Sequence, residues 1–275
     1  MTYAIETEHL SRRFGRTEAV HDLTMQVPAG SVFALVGPNG AGKTTTIKTV
    51  MNLLEPSRGR ASVLGVDSRR INPALLARVG YVSENQELPE YLTIGGLMDY
   101  CRPFYPTWDA SFAGELASQL DLPLGTKLKH CSRGMKMKAA LLVSLAYRPE
   151  LLVMDEPFAG LDALVREEFA RGILEIASER PWTVFISSHD IDEVERLADW
   201  IGIINKGRLE LAEPVSSLLG RFRQLEVTCG APAAVPPGAP SSWLLPQAAG
   251  TVLRFVDSAF SDDSSIATIR GLLPG

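Results

Sequence analysis

The 275-residue sequence has no apolar run approaching the roughly 18 residues that a membrane-crossing helix requires. Its longest candidates, Leu141–Tyr147 and Ile201–Ile204, fall far short, which excludes a spanning segment within it. Cysteine is scarce. Cys101, Cys131 and Cys229 are odd in number and widely spaced, so they indicate neither a disulfide framework nor a zinc site, and a reducing cytoplasm is expected. The opening stretch, MTYAIETEHLSRRFG, places Glu6 and Glu8 where a secretory leader needs a basic start and an apolar centre, so no leader is expected. A basic excess is missing too. The 27 Lys+Arg stand against 32 Asp+Glu, a net charge of −5, which argues against a uniformly basic nucleic-acid binder. What is present, 45% apolar and 21% charged residues, suits a protein with a buried core and excludes wholesale disorder. The length accommodates one large domain with a small one, or two modest ones.

Short apolar runs alternate with helical periodicity, the pattern of an α/β sheet with helices on its faces. Ser31–Val36, Val79–Ser83, Leu151–Met154 and Thr183–Ser187 read as buried strands, and Lys43–Leu54 as a helix. Apolar residues at Val165, Phe169, Ile173 and Ile176 predict a helix between Asp162 and Glu179, and those at Ile191, Val194, Leu197 and Ala198 predict another. The stretch from about 88 to 147 has helical pieces broken by prolines and no convincing strand, so a helical subdomain is expected there. Aromatics concentrate nearby: Tyr81–Trp108 holds six of the 20. They are either the core of that subdomain or an exposed groove for a partner. After Gly220 the composition shifts, with four prolines in Ala231–Ser242 between strand-like runs at Gln224–Thr228 and Thr251–Val256. Residues 1–220 are thus expected to form a main domain and 221–275 a small β-rich accessory one.

The strongest local signal is Gly37-Pro38-Asn39-Gly40-Ala41-Gly42-Lys43-Thr44, followed by Thr45, set between a strand and a helix. Glycines at this spacing let backbone N–H groups converge on phosphate oxygens, and the following helix presents its positive end to them. Lys43 is placed to reach the outer phosphates, and the Thr44 hydroxyl to ligate magnesium. Asp155 and Glu156 end an apolar strand 112 residues after Lys43. Carboxylates there are costly unless they face a cation or a reacting group. Asp155 is placed to hold Mg2+, and Glu156 to polarise an attacking water.

With these motifs the chain resembles the ATP-binding-cassette (ABC) family of transport ATPases over roughly residues 3–220. Cys131-Ser132-Arg133-Gly134-Met135 stands where the family has L-S-G-G-Q; Ser132 and Gly134 agree with it, while Arg133 and Met135 do not. The S-R-G-M variant is similar to one used by a bacterial branch often paired with exporter permeases. Read alone, Ser132 is an N-cap for the helix that follows it; the other motifs are what turn it into a ligand candidate. Asp162, in Ala159-Gly160-Leu161-Asp162, matches the family's D-loop, and His189 matches the switch histidine at the γ-phosphate. Phe14 stands where the family stacks an aromatic on adenine, with a core aromatic as the alternative. Glu84 falls where the family commonly has a glutamine near magnesium; Gln86 would substitute only if the loop shifted.

The resemblance implies a phosphate-loop NTPase core of α/β class, with an antiparallel β subdomain, a helical subdomain and the small C-terminal extension. It implies ATP and Mg2+ as ligands, Lys43, Glu156 and His189 as catalytic residues, and Thr44, Asp155 and Glu84 around the metal. It further implies a head-to-tail dimer with an identical or closely related cassette, in which Ser132, Arg133, Gly134, Met135 and Asp162 face the partner. A separate multi-spanning permease would hold the pair on the inner face of the cell membrane, with export the favoured direction and no nucleic acid as partner. The alternatives are an importer ATPase and a soluble cassette ATPase acting on ribosomes or DNA.

Overall fold

The computed structural model describes residues 2–179 and 182–273. The chain divides into two compact units, Met1–Ala212 and Glu213–Gly275. The first opens with a long hairpin, Tyr3–Phe14 (β1) and Thr17–Pro28 (β2), and a short strand, Val32–Val36 (β3), leads into a helix, Lys43–Val50 (α1). Arg58–Val63 (β4), Val66–Asp67 (β5), Pro73–Leu76 (α2) and Val79–Ser83 (β6) follow. Three helices come next, Ile94–Cys101 (α3), Ala110–Gln119 (α4) and Arg133–Leu145 (α5), before Leu151–Asp155 (β7), Ala163–Glu179 (α6) and Thr183–Ser188 (β8). Trp200–Asn205 (β9) and Arg208–Pro214 (β10) complete two sheets, ordered β2-β1-β4-β5 and β10-β9-β3-β8-β7-β6.

β3, β7 and β8 are buried along their whole length. Strands covered on both faces read as continuous apolar runs, which is why they were legible in sequence. β3 runs parallel to β8 and β9, and β7 runs parallel to β6 and β8. The register sets Val36 against Ser188 and Asp155 against Ser187, so the carboxyl ends of β3, β7 and β8 lie side by side. The antiparallel sheet contributes Ile5, Leu23 and Met25 to a shared core with Phe33, Ile47 and Phe185 of the parallel sheet and α1.

Several elements differ from the sequence expectation. α1 ends at Val50 instead of Leu54, because Asn52 takes a left-handed conformation (φ 57°) and the Leu53 and Leu54 N–H groups turn back to Lys48 O. The periodic segment after β8 is a chain of turns rather than a helix. Val194 N–H reaches Ile191 O at 3.1 Å, and Asp190 Oδ1 captures Asp192 N–H in a competing local bond. Ile176 lies outside the described side chains. α3, α4 and α5 start on side-chain caps from Thr93, Asp109 and Ser132, and an isolated Thr93–Lys127 bridge is the sole β pairing described among them. The aromatics there divide: Tyr91, Tyr100 and Phe104 are exposed, whereas Tyr105 stacks on buried Tyr147 at 3.7 Å.

The second unit is a three-stranded antiparallel sheet with two helices. Val215–Arg221 (α7) precedes Arg223–Thr228 (β11), Trp243–Ala249 (β12) and Val252–Asp257 (β13), in the order β11-β13-β12, and Asp262–Leu272 (α8) ends it. Its small core centres on Trp243, Leu253 and Phe255, with the Trp243 and Phe255 rings stacked at 4.0 Å. The break at 212/213, eight residues before the expected one, has a local cause. Arg221 at the end of α7 bonds to Glu213 and, at 3.0 Å, to Ser258 O, which fastens α7 to this unit.

The loop after β3 approaches β9 closely: a Cβ on Gly37 would sit 2.1 Å from Ile204 O. Gly37→Ala is therefore expected to cost about 1–3 kcal/mol through overpacking against backbone, measured as a lowered urea midpoint.

Candidate functional site

The phosphate loop grows directly out of β3. Gly40 (φ 81°) and Gly42 (φ 109°) adopt conformations that disfavour side chains, and Gly207 N–H donates to Ala41 O at 2.8 Å, pinning the loop to the β9–β10 turn. Gly42 caps α1 without a side-chain hydrogen bond, so the helix's leading N–H groups meet no such cap and remain directed at the space above the loop.

Lys43 is buried, 4% exposed. Its Nζ donates to Gly37 O at 2.5 Å and Pro38 O at 3.1 Å, and lies 3.0 Å from Glu156 Oε1. A buried ammonium persists only when it is paired and fully hydrogen-bonded, and these three oxygens meet that demand. Glu156, itself buried with a left-handed backbone (φ 50°), places its other oxygen 2.8 Å from His189 Nδ1. Strained backbone of this kind collects at functional sites. The Glu156 hydrogen bond, aided by its charge, raises the His189 pKa above its usual value, against an opposing effect of burial.

Beside this triad, Asp155 Oδ1 accepts from Thr44 Oγ1 at 3.0 Å and Ser187 Oγ at 2.8 Å. Burial pushes the Asp155 carboxyl up, and the hydrogen bonds from Ser187 and Thr44 oppose that shift. Ser187 Oγ also accepts Glu156 N–H at 3.0 Å, so one hydroxyl fixes both acidic residues. Its central place was missed in sequence, where it reads as an ordinary strand-end serine. Among the described residues no cluster of three His, Cys, Asp or Glu is arranged to hold a metal by itself. The donor set suits magnesium all the same, since that ion takes one or two protein oxygens and fills its shell with phosphate and water.

An open cleft of about 350 Å³ adjoins this cluster, lined by Phe14, Asn39, Lys43, Thr44, Glu84 and Glu156 among others, while Asp155 and His189 are not among its described lining residues. Gly40, Gly42 and Thr45 border it too. Phe14 is 45% exposed, and the Arg12 guanidinium covers its ring at 4.6 Å. Glu84 is held at the cleft by its N–H to Asp155 O at 2.9 Å, yet its carboxylate turns to Arg133 at 3.2 Å. Gln86 folds back, its side chain accepting Ser83 N–H at 3.4 Å.

Ser132, Arg133, Gly134, Met135 and Asp162 are not among the cleft-lining residues described. Ser132 caps α5 by accepting Met135 N–H at 3.2 Å, and Asp162 caps α6 by accepting Val165 N–H at 3.0 Å. Gly134 lies against α6, where a Cβ would come within 2.5 Å of Val165 Cγ1.

Residues 20–159 match the family model described as ABC transporter. This chain belongs to the ABC transporter family. A shorter stretch, 125–195, also matches a model described as an AAA domain, putative AbiEii toxin, Type IV TA system. The cassette is 30% identical to the bacitracin transport ATP-binding protein BcrA of Enterococcus faecalis, over 82% of this chain and 73% of that one. It is 28% identical to the ABC transporter ATP-binding protein YtrB of Bacillus subtilis, over 81% and 76%. The sulfate/thiosulfate import protein CysA of Yersinia pestis is 32% identical over 75% of this chain, but only 59% of CysA is covered. A solved ATP-binding subunit of an ABC transporter superposes with a TM-score of 0.71 at 28% identity, covering 79% of this chain and 92% of that one. The protein is accordingly an ATP-binding, ATP-hydrolysing cassette of a transporter. No helix among the described residues is long and apolar enough to cross a membrane.

Because the folded-state pKa of His189 is raised, the stability supplied by its contact with Glu156 is complete below the unfolded value of about 6.5 and is lost as pH rises through the folded value. The stability gap between wild type and His189→Gln is expected to narrow as pH climbs above about 6.5. Urea denaturation across a pH series measures it, and a gap independent of pH contradicts the assignment.

Proposed function

We propose that the Lys43–Glu156–His189 triad, with Thr44 and Asp155 beside it, performs hydrolysis of ATP coupled to export through a separate membrane permease. The observation that carries this reading is the contact of Glu156 with both Lys43 and His189, the first two side chains buried and bordering an open cleft and the histidine partly exposed. Lys43 is held by two loop carbonyls and a carboxylate; an incoming triphosphate offers stronger acceptors at the same spot. As Lys43 moves to the phosphates, Glu156 Oε1 loses its cation and becomes free to accept a proton from water. His189 keeps the other oxygen of Glu156 and presents its second ring nitrogen toward the terminal phosphate. Thr44 and Asp155 would hold Mg2+, which supplies neutralisation of the phosphate charge. Glu84 adds a carboxylate at the rim, and Phe14 an aromatic face for the base. The phosphate oxygens would be cradled by the backbone from Gly37, Pro38, Asn39, Gly40, Ala41 and Gly42 to Thr45.

Ser132, Arg133, Gly134, Met135 and Asp162 are not among the described residues lining the nucleotide cleft, although Arg133 reaches Glu84 at its rim, and this supports a site completed by a second cassette, identical or closely related. The exposed Tyr91, Tyr100 and Phe104 suit contact with a permease, which would hold the pair on the inner face of the cell membrane. Export is favoured by the S-R-G-M variant and by the likeness to the bacitracin transport protein, nearly three quarters of which is covered. The import protein is matched over a smaller share.

Glu156→Gln is expected to leave ATP binding intact while lowering turnover by about 10²- to 10⁴-fold. Steady-state hydrolysis by the purified chain, with fluorescent-nucleotide titration beside it, measures both. Turnover that survives the substitution removes Glu156 from the reaction. Tagged chain recovered from solubilised membranes is expected with a multi-spanning companion; recovery with ribosomes or DNA alone would end the transport reading.

A further inference from the structure

Among the buried carboxylates outside the triad, Glu193 is the one nearest in sequence to His189, and it lacks an assigned task. Glu193 stands in the turns that follow β8, with its side chain 2% exposed. Burying a carboxylate is costly unless it is paired, and both of its oxygens are. One accepts the Ser188 hydroxyl; the other lies 3.1 Å from Arg166 Nη1 on α6. Ser188 Oγ in turn accepts Asp190 N–H at 3.0 Å. The two neighbours of His189 are therefore fastened to the same hydroxyl, and that hydroxyl is oriented by Glu193. On its other side Arg166 Nη2 donates to Leu161 O at 3.3 Å, the carbonyl that precedes Asp162. Arg166 Nε is buried without a hydrogen-bond partner, a cost carried while both Nη groups are held.

We propose that Glu193 and Arg166 are positioning residues for hydrolysis, tying the Leu161–Asp162 turn to the Ser188–His189 strand end so that the two keep one geometry. The inference rests on the reading of His189 as a group acting at the terminal phosphate. A pair serving only to close this segment over α6 would be replaceable by apolar side chains at little loss, since buried ion pairs are poor stabilisers. A directed hydrogen-bond chain instead fixes which way Ser188 points, and with it the path of the chain on both sides of His189. Neither residue lines the nucleotide cleft, so both act through others.

The test compares steady-state ATP hydrolysis by the full chain with that of Glu193→Gln, Arg166→Met, the double variant, Ser188→Ala and His189→Ala. Glu193→Gln is expected to lower kcat about tenfold, equal to about 1.4 kcal/mol, with KM for ATP changed less than about twofold. Arg166→Met and Ser188→Ala should do the same, and the double variant should lose no more than the worse single one. Independently of turnover, the His189 ring resonances, assigned from the His189→Ala spectrum, should shift in Glu193→Gln and stay in place in Glu150→Gln, at the opposite end of β7 from Asp155. A His189→Ala variant without turnover beside an unchanged kcat and an unmoved ring in Glu193→Gln overturns the proposal and leaves the site reading intact. Full turnover in His189→Ala removes the site reading, and the proposal with it.

Discussion

The parallel register of β3, β7 and β8 is the constraint on which the site depends. Val36 opposes Ser188 and Asp155 opposes Ser187, while Gly37 N–H crosses to Ser188 O at 3.2 Å. These pairings align three strand ends at one level, so loops separated by more than a hundred residues emerge together. A slip of one residue would turn every side chain of a strand to the other face. That slip is opposed by burial on both faces, since each strand would have to exchange well-packed apolar partners. Open α/β sheets commonly place ligands outside the carboxyl ends of their strands, and the arrangement here obeys the same logic.

On that frame the protein assembles a charge cluster that is satisfied yet replaceable. Glu156 joins the Lys43 ammonium to the His189 ring, and Asp155 lies beside them bound by two hydroxyls. Lys43 and Glu156 both border the cleft, so their pairing is open to a competing group that enters it. The left-handed backbone at Glu156 fits the same arrangement: strain is tolerated where it aims a carboxylate between Lys43 and the His189 ring.

The family's pattern and this chain part company at Glu84 and Arg133, and the fold brings those two departures into contact at 3.2 Å. Both side chains are partly exposed, so the pair adds little stability by itself. Its effect is geometric. It joins the rim of the nucleotide cleft to the first turn of α5, where a cassette with Gln and Gly at these places has no such charge link. Arg133 also packs on Gly160, where an added Cβ would come within 2.8 Å of its Nη1. One guanidinium therefore touches the cleft rim and the turn that leads to α6.

The sequence by itself determined the phosphate loop, the acidic strand end, the central buried strands and the family. Those features are local: glycine spacing, a run of apolar residues buried on both faces, a helix start. Ser132 illustrates the limit, because a serine before a helix serves as an N-cap whatever else it does, and its capping bond to Met135 is what the fold displays. The helix expected after β8 failed for a related reason. Its apolar spacing was right, but Ser188 and Asp190 captured the backbone in local turns that periodicity does not register. β9 and β10 went unnoticed because their hairpin turn, Lys206-Gly207, carries its signal in positive φ angles rather than in an obvious motif. Tertiary structure alone decided that Ser187 would bind both acidic residues, that Glu84 would turn to Arg133, and that Glu193 would be buried behind His189. Each depends on contacts between residues far apart in the chain, and such contacts exist only once strand register and helix packing have placed them.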